Sequence, residues 1–160
     1  MYNKNIGALC GVVKEQIMKM ELKGITAEEL SFKINRVKIA AETKLDIKPQ
    51  FSRQVRKISG HENLSFIAMS VKIESTEAEP KPFDINVTLV GVFEAEEVRG
   101  DAEERRFVIE ATKVLYPYLR AAVTNLTASA YIAPLNLPVI SGPIFPEDRD
   151  QYVFSTDKLN

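Results

Sequence analysis

Apolar and polar residues alternate with a period of two over most of the first hundred positions. Met18, Met20 and Leu22 alternate with Lys19, Glu21 and Lys23, and after Gly24 to Glu29, which read as a turn, Leu30, Phe32 and Ile34 resume the alternation. Leu45, Ile47 and Phe51 continue it beside Pro49, which cannot donate to a ladder and so predicts an edge strand or a bulge. Ser59 to Asn63 reads as a turn. Ile67, Met69, Val71 and Ile73 then face one way, with Ser70, Lys72 and Glu74 on the other. A further turn spans Glu77 to Pro82, and beyond it Phe83, Ile85, Val87 and Leu89 alternate with Asp84, Asn86 and Thr88. Val90 and Val92 make the opposite face apolar as well. That strand therefore calls for cover on both faces, one by helices and the other by a second subunit.

The period lengthens after an acidic stretch, Glu94 to Glu104, in which Arg99-Gly100-Asp101 reads as a loop. Phe107, Ala111, Val114, Tyr118, Ala122 and Leu126 fall at helical spacing, widened by Val108, Leu115, Leu119 and Val123. A helix over about 103–128 is roughly 39 Å long, with a kink expected at the internal Pro117. Residues 1–17 read as an amino-terminal arm or short helix, 18–146 as the folded domain and 147–160 as a polar tail. Four strand regions followed by a long helix predict the α+β class, a four-stranded antiparallel sheet with a long helix packed on one face.

The 160 residues suit one domain. Lys and Arg number 21 against 22 Asp and Glu, and no clustered basic stripe points to nucleic acid; Arg53 to Lys57 reads as a solvated strand face. The single cysteine, Cys10, rules out an intramolecular disulfide and a thiolate zinc site within one chain. No apolar run reaches the length of a membrane span and no signal peptide is recognisable, so no membrane insertion and a cytoplasmic location are expected. Catalytic chemistry finds little material. His61 is the sole histidine and sits in a turn, Cys10 has no histidine near it in sequence, and neither a dinucleotide fingerprint nor a phosphate-binding loop is present. No catalytic residue, metal ligand or cofactor is expected. A small-molecule pocket between helix and sheet is the competing reading from another class.

The segment Leu115-Tyr116-Pro117-Tyr118-Leu119-Arg120, followed by Leu135-Asn136-Leu137, resembles the aromatic-Pro-Tyr helix and Leu-Asn-Leu loop of the SecB export chaperones; the strands before it and Gly91-Val92-Phe93 are similar too. The resemblance implies an ATP-independent chaperone assembled as a dimer of dimers. Such a protein binds unfolded polypeptide clients in apolar grooves, here near Tyr116, Tyr118, Ile132, Leu135 and Leu137. The bland alternative for Tyr116, Tyr118 and Leu119 is core, since a helix stripe must first bury itself on its own sheet. Arg120 is expected to pair with a carboxylate or carbonyls. The family also implies docking to the translocase ATPase SecA through an acidic surface, for which Glu74, Glu77 and Glu79 are the candidates. SecB continues past the Leu-Asn-Leu loop into a second helix, whereas this chain runs through Pro138, Gly142, Pro143 and Pro146. SecB-like chaperones dedicated to one antitoxin form the variant reading within the same class.

Overall fold

A computed structural model describes residues 18–149 apart from 39, 41, 43, 44 and 97; the expected amino-terminal arm and the last residues of the polar tail lie outside them. Strands β1 (Met20–Ile34), β2 (Gln50–Lys57), β3 (Leu64–Ile73) and β4 (Phe83–Ala95) precede one long helix, α1 (Gly100–Ser129), and a short 3₁₀ turn at Pro146–Asp148. The strands form one antiparallel sheet in the order β1-β4-β3-β2. The two hairpins β2-β3 and β3-β4 are consecutive, and β1 lies along the far side of β4, so β1 and β2 are the edges. Pro49 stands immediately before edge strand β2. With α1 packed on β3, β4 and β1, this is the predicted α+β architecture.

The turn expected at Gly24 to Glu29 does not exist. β1 runs straight through it with two bulges, because Leu22 pairs with Phe93 but Gly24 with Val92, and Ala27 with Leu89 but Glu29 with Thr88. Lys23 and Glu28 are therefore the extra residues. Each bulge flips the side-chain parity once, so Met20 and Leu22, then Ile25 and Ala27, then Leu30, Phe32 and Ile34 all stand opposite Ala95, Phe93, Gly91, Leu89, Val87, Ile85 and Phe83. The phase slips in the sequence are the bulges themselves. Both extra residues are charged and find partners at the surface: Lys23 bonds Glu21 and Glu94 at 2.9 Å, and Glu28 receives a bidentate pair from Arg56 of β2 at 2.9 and 3.2 Å.

On the inner face, Ile67, Met69, Val71, Ile73, Ile85, Val87 and Phe93 meet Phe107, Leu115, Leu119 and Val123 of the helix, all fully buried; each such side chain contributes about 1.5–3 kcal/mol on leaving water. Gly91 is the notch that lets the helix approach: a Cβ there would lie 2.7 Å from the Phe93 ring and 3.2 Å from Leu115. The helix starts at Gly100, inside the expected loop, since the Glu103 carboxylate accepts the Arg99 N–H at 2.6 Å and acidic residues in the first turn suit the helix dipole. It continues through Pro117.

The outer face carries the second apolar set that the strand pattern foretold, with Phe66, Ala68, Val90 and Val92 side by side on β3 and β4. Around it the face turns polar, with Ser70 and Thr88 hydroxyls bonded at 2.7 Å. At the base of the β3-β4 hairpin, Asp84 accepts the Ser75 N–H at 2.8 Å and the Asn35 amide at 2.9 Å. These donors, the Ser75 N–H first, hold its carboxyl below the usual carboxylate range.

Candidate functional site

Helix residues Tyr116, Arg120, Thr124 and Thr127 recur every three or four positions and so form one stripe. Together they satisfy the main chain of the loop that follows the helix. The Tyr116 hydroxyl donates to the Pro138 carbonyl at 2.7 Å, Arg120 Nε to the Leu137 carbonyl at 2.9 Å, and the Thr124 hydroxyl to the Leu135 carbonyl at 3.1 Å. Thr127 Oγ1 accepts the Leu135 N–H at 2.8 Å. A loop without secondary structure is thereby held extended along α1, its polar groups paired as burial demands. Arg120 pairs with a carbonyl, one of the two partners expected for it. Burial raises the Tyr116 phenol above its ordinary pKa, opposed by the nearby Arg120 charge, and keeps it the neutral donor that this contact needs.

The five residues picked for a groove are distributed unevenly. Tyr116 and Leu137 are buried in the core, with Phe51 of β2 set edge-on to the Tyr116 ring at 5.9 Å. Ile132 and Leu135 are half-buried against that core. Tyr118, two residues from Tyr116 and hence on another side of the helix, is 49% exposed, with exposed Val114 one turn before it. The structure thus brings four of the five to the seam between α1 and the loop and leaves Tyr118 apart.

Two further residues were not singled out by sequence. Tyr131 directly follows the cap of α1 with φ of 59° and is 98% exposed, an aromatic ring held in water on a backbone that L residues rarely adopt. Arg53, read from sequence as part of a solvated strand face, is instead partly buried: its side chain is 11% exposed and that of its buried partner Asp148 only 8%. The reason is register. Arg53 lies between Phe51 and Val55 on the inward face of β2, where its guanidinium takes Asp148 bidentately at 2.8 and 3.0 Å, meets the Thr112 hydroxyl at 3.0 Å and stands 4.4 Å over the Phe145 ring. An arginine in the inward phase of an alternating strand was the available signal. Asp148, assigned to the polar tail, is thereby packed on the domain. Tyr131 carried no such sign, because a positive φ leaves no trace in side-chain pattern.

Between α1 and the chain beyond Pro138 lies a hollow of about 90 Å³ lined by Lys113, Tyr116, Pro117, Arg120, Val139, Ile140, Gly142 and Ile144. A more polar hollow of about 310 Å³ opens near the start of α1, where Lys57 is ion-paired with Glu104. Among the described residues no three His, Cys, Asp or Glu side chains are grouped to hold a metal ion, and no helix is long and apolar enough to cross a membrane. Glu74, Glu77 and Glu79 are exposed on the β3-β4 hairpin. Glu74 is paired with Lys72 at 2.9 Å, and Glu79 lies 3.9 Å from Lys48 and 3.8 Å from the buried Lys81.

The model of the family described as SecB, preprotein translocase subunit SecB, matches residues 13–144. Among curated proteins, the protein-export protein SecB of Jannaschia sp. (strain CCS1) is 30% identical over 131 residues, 78% of this chain and 76% of that protein. The protein of the same name from Anaplasma phagocytophilum (strain HZ) is 32% identical over 77 residues, 46% of this chain and 49% of that protein. Among solved structures, the Mycobacterium tuberculosis SecB-like chaperone in complex with a ChAD peptide from the HigA1 antitoxin superposes with a TM-score of 0.64 at 18% identity, covering 78% of this chain and 93% of that one. This last likeness is one of fold.

Proposed function

The chain belongs to the SecB family, chaperones of protein export rather than enzymes, and from that premise we propose that it is an ATP-independent holdase for unfolded or pre-secretory polypeptides in the cytoplasm. The observation that carries the proposal is the apolar side chain left accessible along the loop that follows the helix. Tyr131 is almost wholly in water, Val139 is largely exposed, and Ile132 and Leu135 are half-buried on the same loop. Scattered singly, such residues are ordinary; strung along one loop they suit an extended, non-native chain whose own apolar side chains seek cover. Many contacts at about 25 cal/mol per Å² of apolar area give affinity without a required sequence.

Self-association as a dimer of dimers fits two further surfaces. β1 is a 15-residue edge strand with Leu30 and Ile34 half exposed, the kind of edge that a second copy pairs with, and the Val114-Tyr118 face of α1 offers apolar area beside it; sedimentation velocity reads the stoichiometry directly. SecA docking through Glu74, Glu77 and Glu79 is supported by their exposure and weakened by the lysines that already neutralise two of them. The dedicated variant, one antitoxin as sole client, takes its support from the peptide bound to the M. tuberculosis neighbour.

Equilibrium binding tests the proposal. A labelled, permanently unfolded polypeptide is expected to gain fluorescence anisotropy on titration with the chain in the absence of nucleotide, while its folded parent does not. Charge reversal at the three glutamates leaves that binding intact and removes only capture of SecA. Equal binding of folded and unfolded forms, or of neither, contradicts a holdase; binding of one antitoxin alone selects the dedicated variant.

A further inference from the structure

The chain beyond Pro138 lies on the domain in an unusual manner. Among the described residues, no main-chain hydrogen bond joins 139–144 to the sheet or the helix. Ile140, Ile144 and Phe145 pack on the core, and Asp148 closes on Arg53. Apolar contacts made by an extended segment without main-chain registry are what a holdase offers a client. The segment also covers what α1 leaves open, since the helix packs chiefly on β3, β4 and β1 while the segment lies over the inner face of β2. A hollow of about 90 Å³ lies between it and the helix.

Arg53 gives this strap its chemistry. Of the groups around the guanidinium, the Asp148 carboxylate, the Glu147 carboxylate at 3.8 Å and the Phe145 ring all come from the strap, and only Thr112 comes from the helix. Lifting the strap would therefore leave a permanently charged group in an apolar face with one hydroxyl for company, a state that water or an incoming carboxylate must relieve.

We propose that residues 139–149 are an intramolecular stand-in for client, and that Arg53 is the specificity-determining residue of the site beneath them. Arg53 selects segments that present an aromatic side chain and, three residues later across one tight turn, a carboxylate, as Phe145 and Asp148 do around the 3₁₀ turn. This rests on the holdase reading. Client binding and strap seating are mutually exclusive, so the strap lowers the apparent affinity for every client by one common factor, and the preference for clients that carry the carboxylate comes from Arg53.

Two measurements test it, each on the full chain. In the first, labelled peptides with the sequence of residues 139–149, one native and one with asparagine at the position of Asp148, are titrated with the parent and with its Asp148→Asn variant. The variant is expected to bind the acidic peptide about tenfold tighter than the parent does, and about tenfold tighter than it binds the amide peptide, the scale of one charge-assisted bidentate contact. In the second, Phe145→Trp puts a single indole into a chain that has no tryptophan, and a permanently unfolded, tryptophan-free polypeptide is expected to shift its emission to the red on binding. This needs no change at Asp148. If the unfolded polypeptide binds while the indole emission stays put and the two peptides bind alike, the strap is ordinary structure and the inference falls while the holdase reading stands. If the unfolded polypeptide does not bind at all, both fall together.

Discussion

Tyr131 occupies the position after the helix cap where glycine is usual, at a φ of 59° and with its ring in water. A left-handed tyrosine costs about 1–2 kcal/mol, part of which a glycine would return as extra freedom in the unfolded chain. Tyr131→Gly is therefore expected to raise the unfolding free energy by about 0.5–1 kcal/mol while weakening capture of unfolded polypeptide severalfold. Denaturant titration and anisotropy together check the pair of signs; a variant that is less stable with client binding untouched would show the ring to be structural. Opposite signs are what a residue kept for binding rather than folding must give. Arg53 teaches a related lesson. Its charge suggested solvent, but its place between Phe51 and Val55 in the inward phase decided its burial, and the carboxylate it needed came from 95 residues further on, beyond the reach of any local pattern.

At the level of elements, β3, β4 and α1 followed the periodicity because the inward face of each is buried, whereas β2 begins only at Gln50, after the Leu45 and Ile47 that were expected to belong to it. β1 did not, and its misreading has a physical cause. A three-residue step between apolar positions, Leu22 to Ile25 and Ala27 to Leu30, looks like a chain reversal in one dimension, whereas the ladder with β4 shows it to be one extra residue absorbed at each step. Bulges and turns make opposite predictions for deletions. Removing Lys23 or Glu28 restores regular pairing with every apolar side chain still inward, so either deletion is expected to leave a cooperative thermal transition near that of the parent; removing Thr26 is absorbed at the second bulge only by turning Ala27 outward and the Glu28 carboxylate inward, and is expected to lower the unfolding midpoint well below that of the other two. Equal tolerance of all three deletions, the behaviour of a surface loop, would contradict the bulged strand. The Leu115 to Arg120 motif was legible for a different reason: Tyr116 and Arg120 are spaced so that their polar ends meet successive carbonyls at Pro138 and Leu137, so the helix and loop patterns constrain each other.

For the whole molecule, a helix laid on one face of a four-stranded sheet leaves three surfaces unfinished: the β1 edge, the outer apolar set around Phe66 and Val90, and the accessible side chains at the end of α1. The doubly apolar pattern of β4 announced the second of these, and its Phe66 neighbour belongs to β3. The candidate client site was only partly legible. Tyr116 and Leu137 carry the family motif yet are buried, because a sequence reports that a side chain is apolar and not which side of a packed seam it fills. Membership of a family of export chaperones makes retention of non-native chains the function to be measured. The most direct measurement is light scattering from a chemically unfolded, aggregation-prone polypeptide diluted into buffer with near-stoichiometric protein and no nucleotide. The account predicts suppressed scattering, undiminished when nucleotide is withheld; unchanged scattering across several chemically different clients would contradict it.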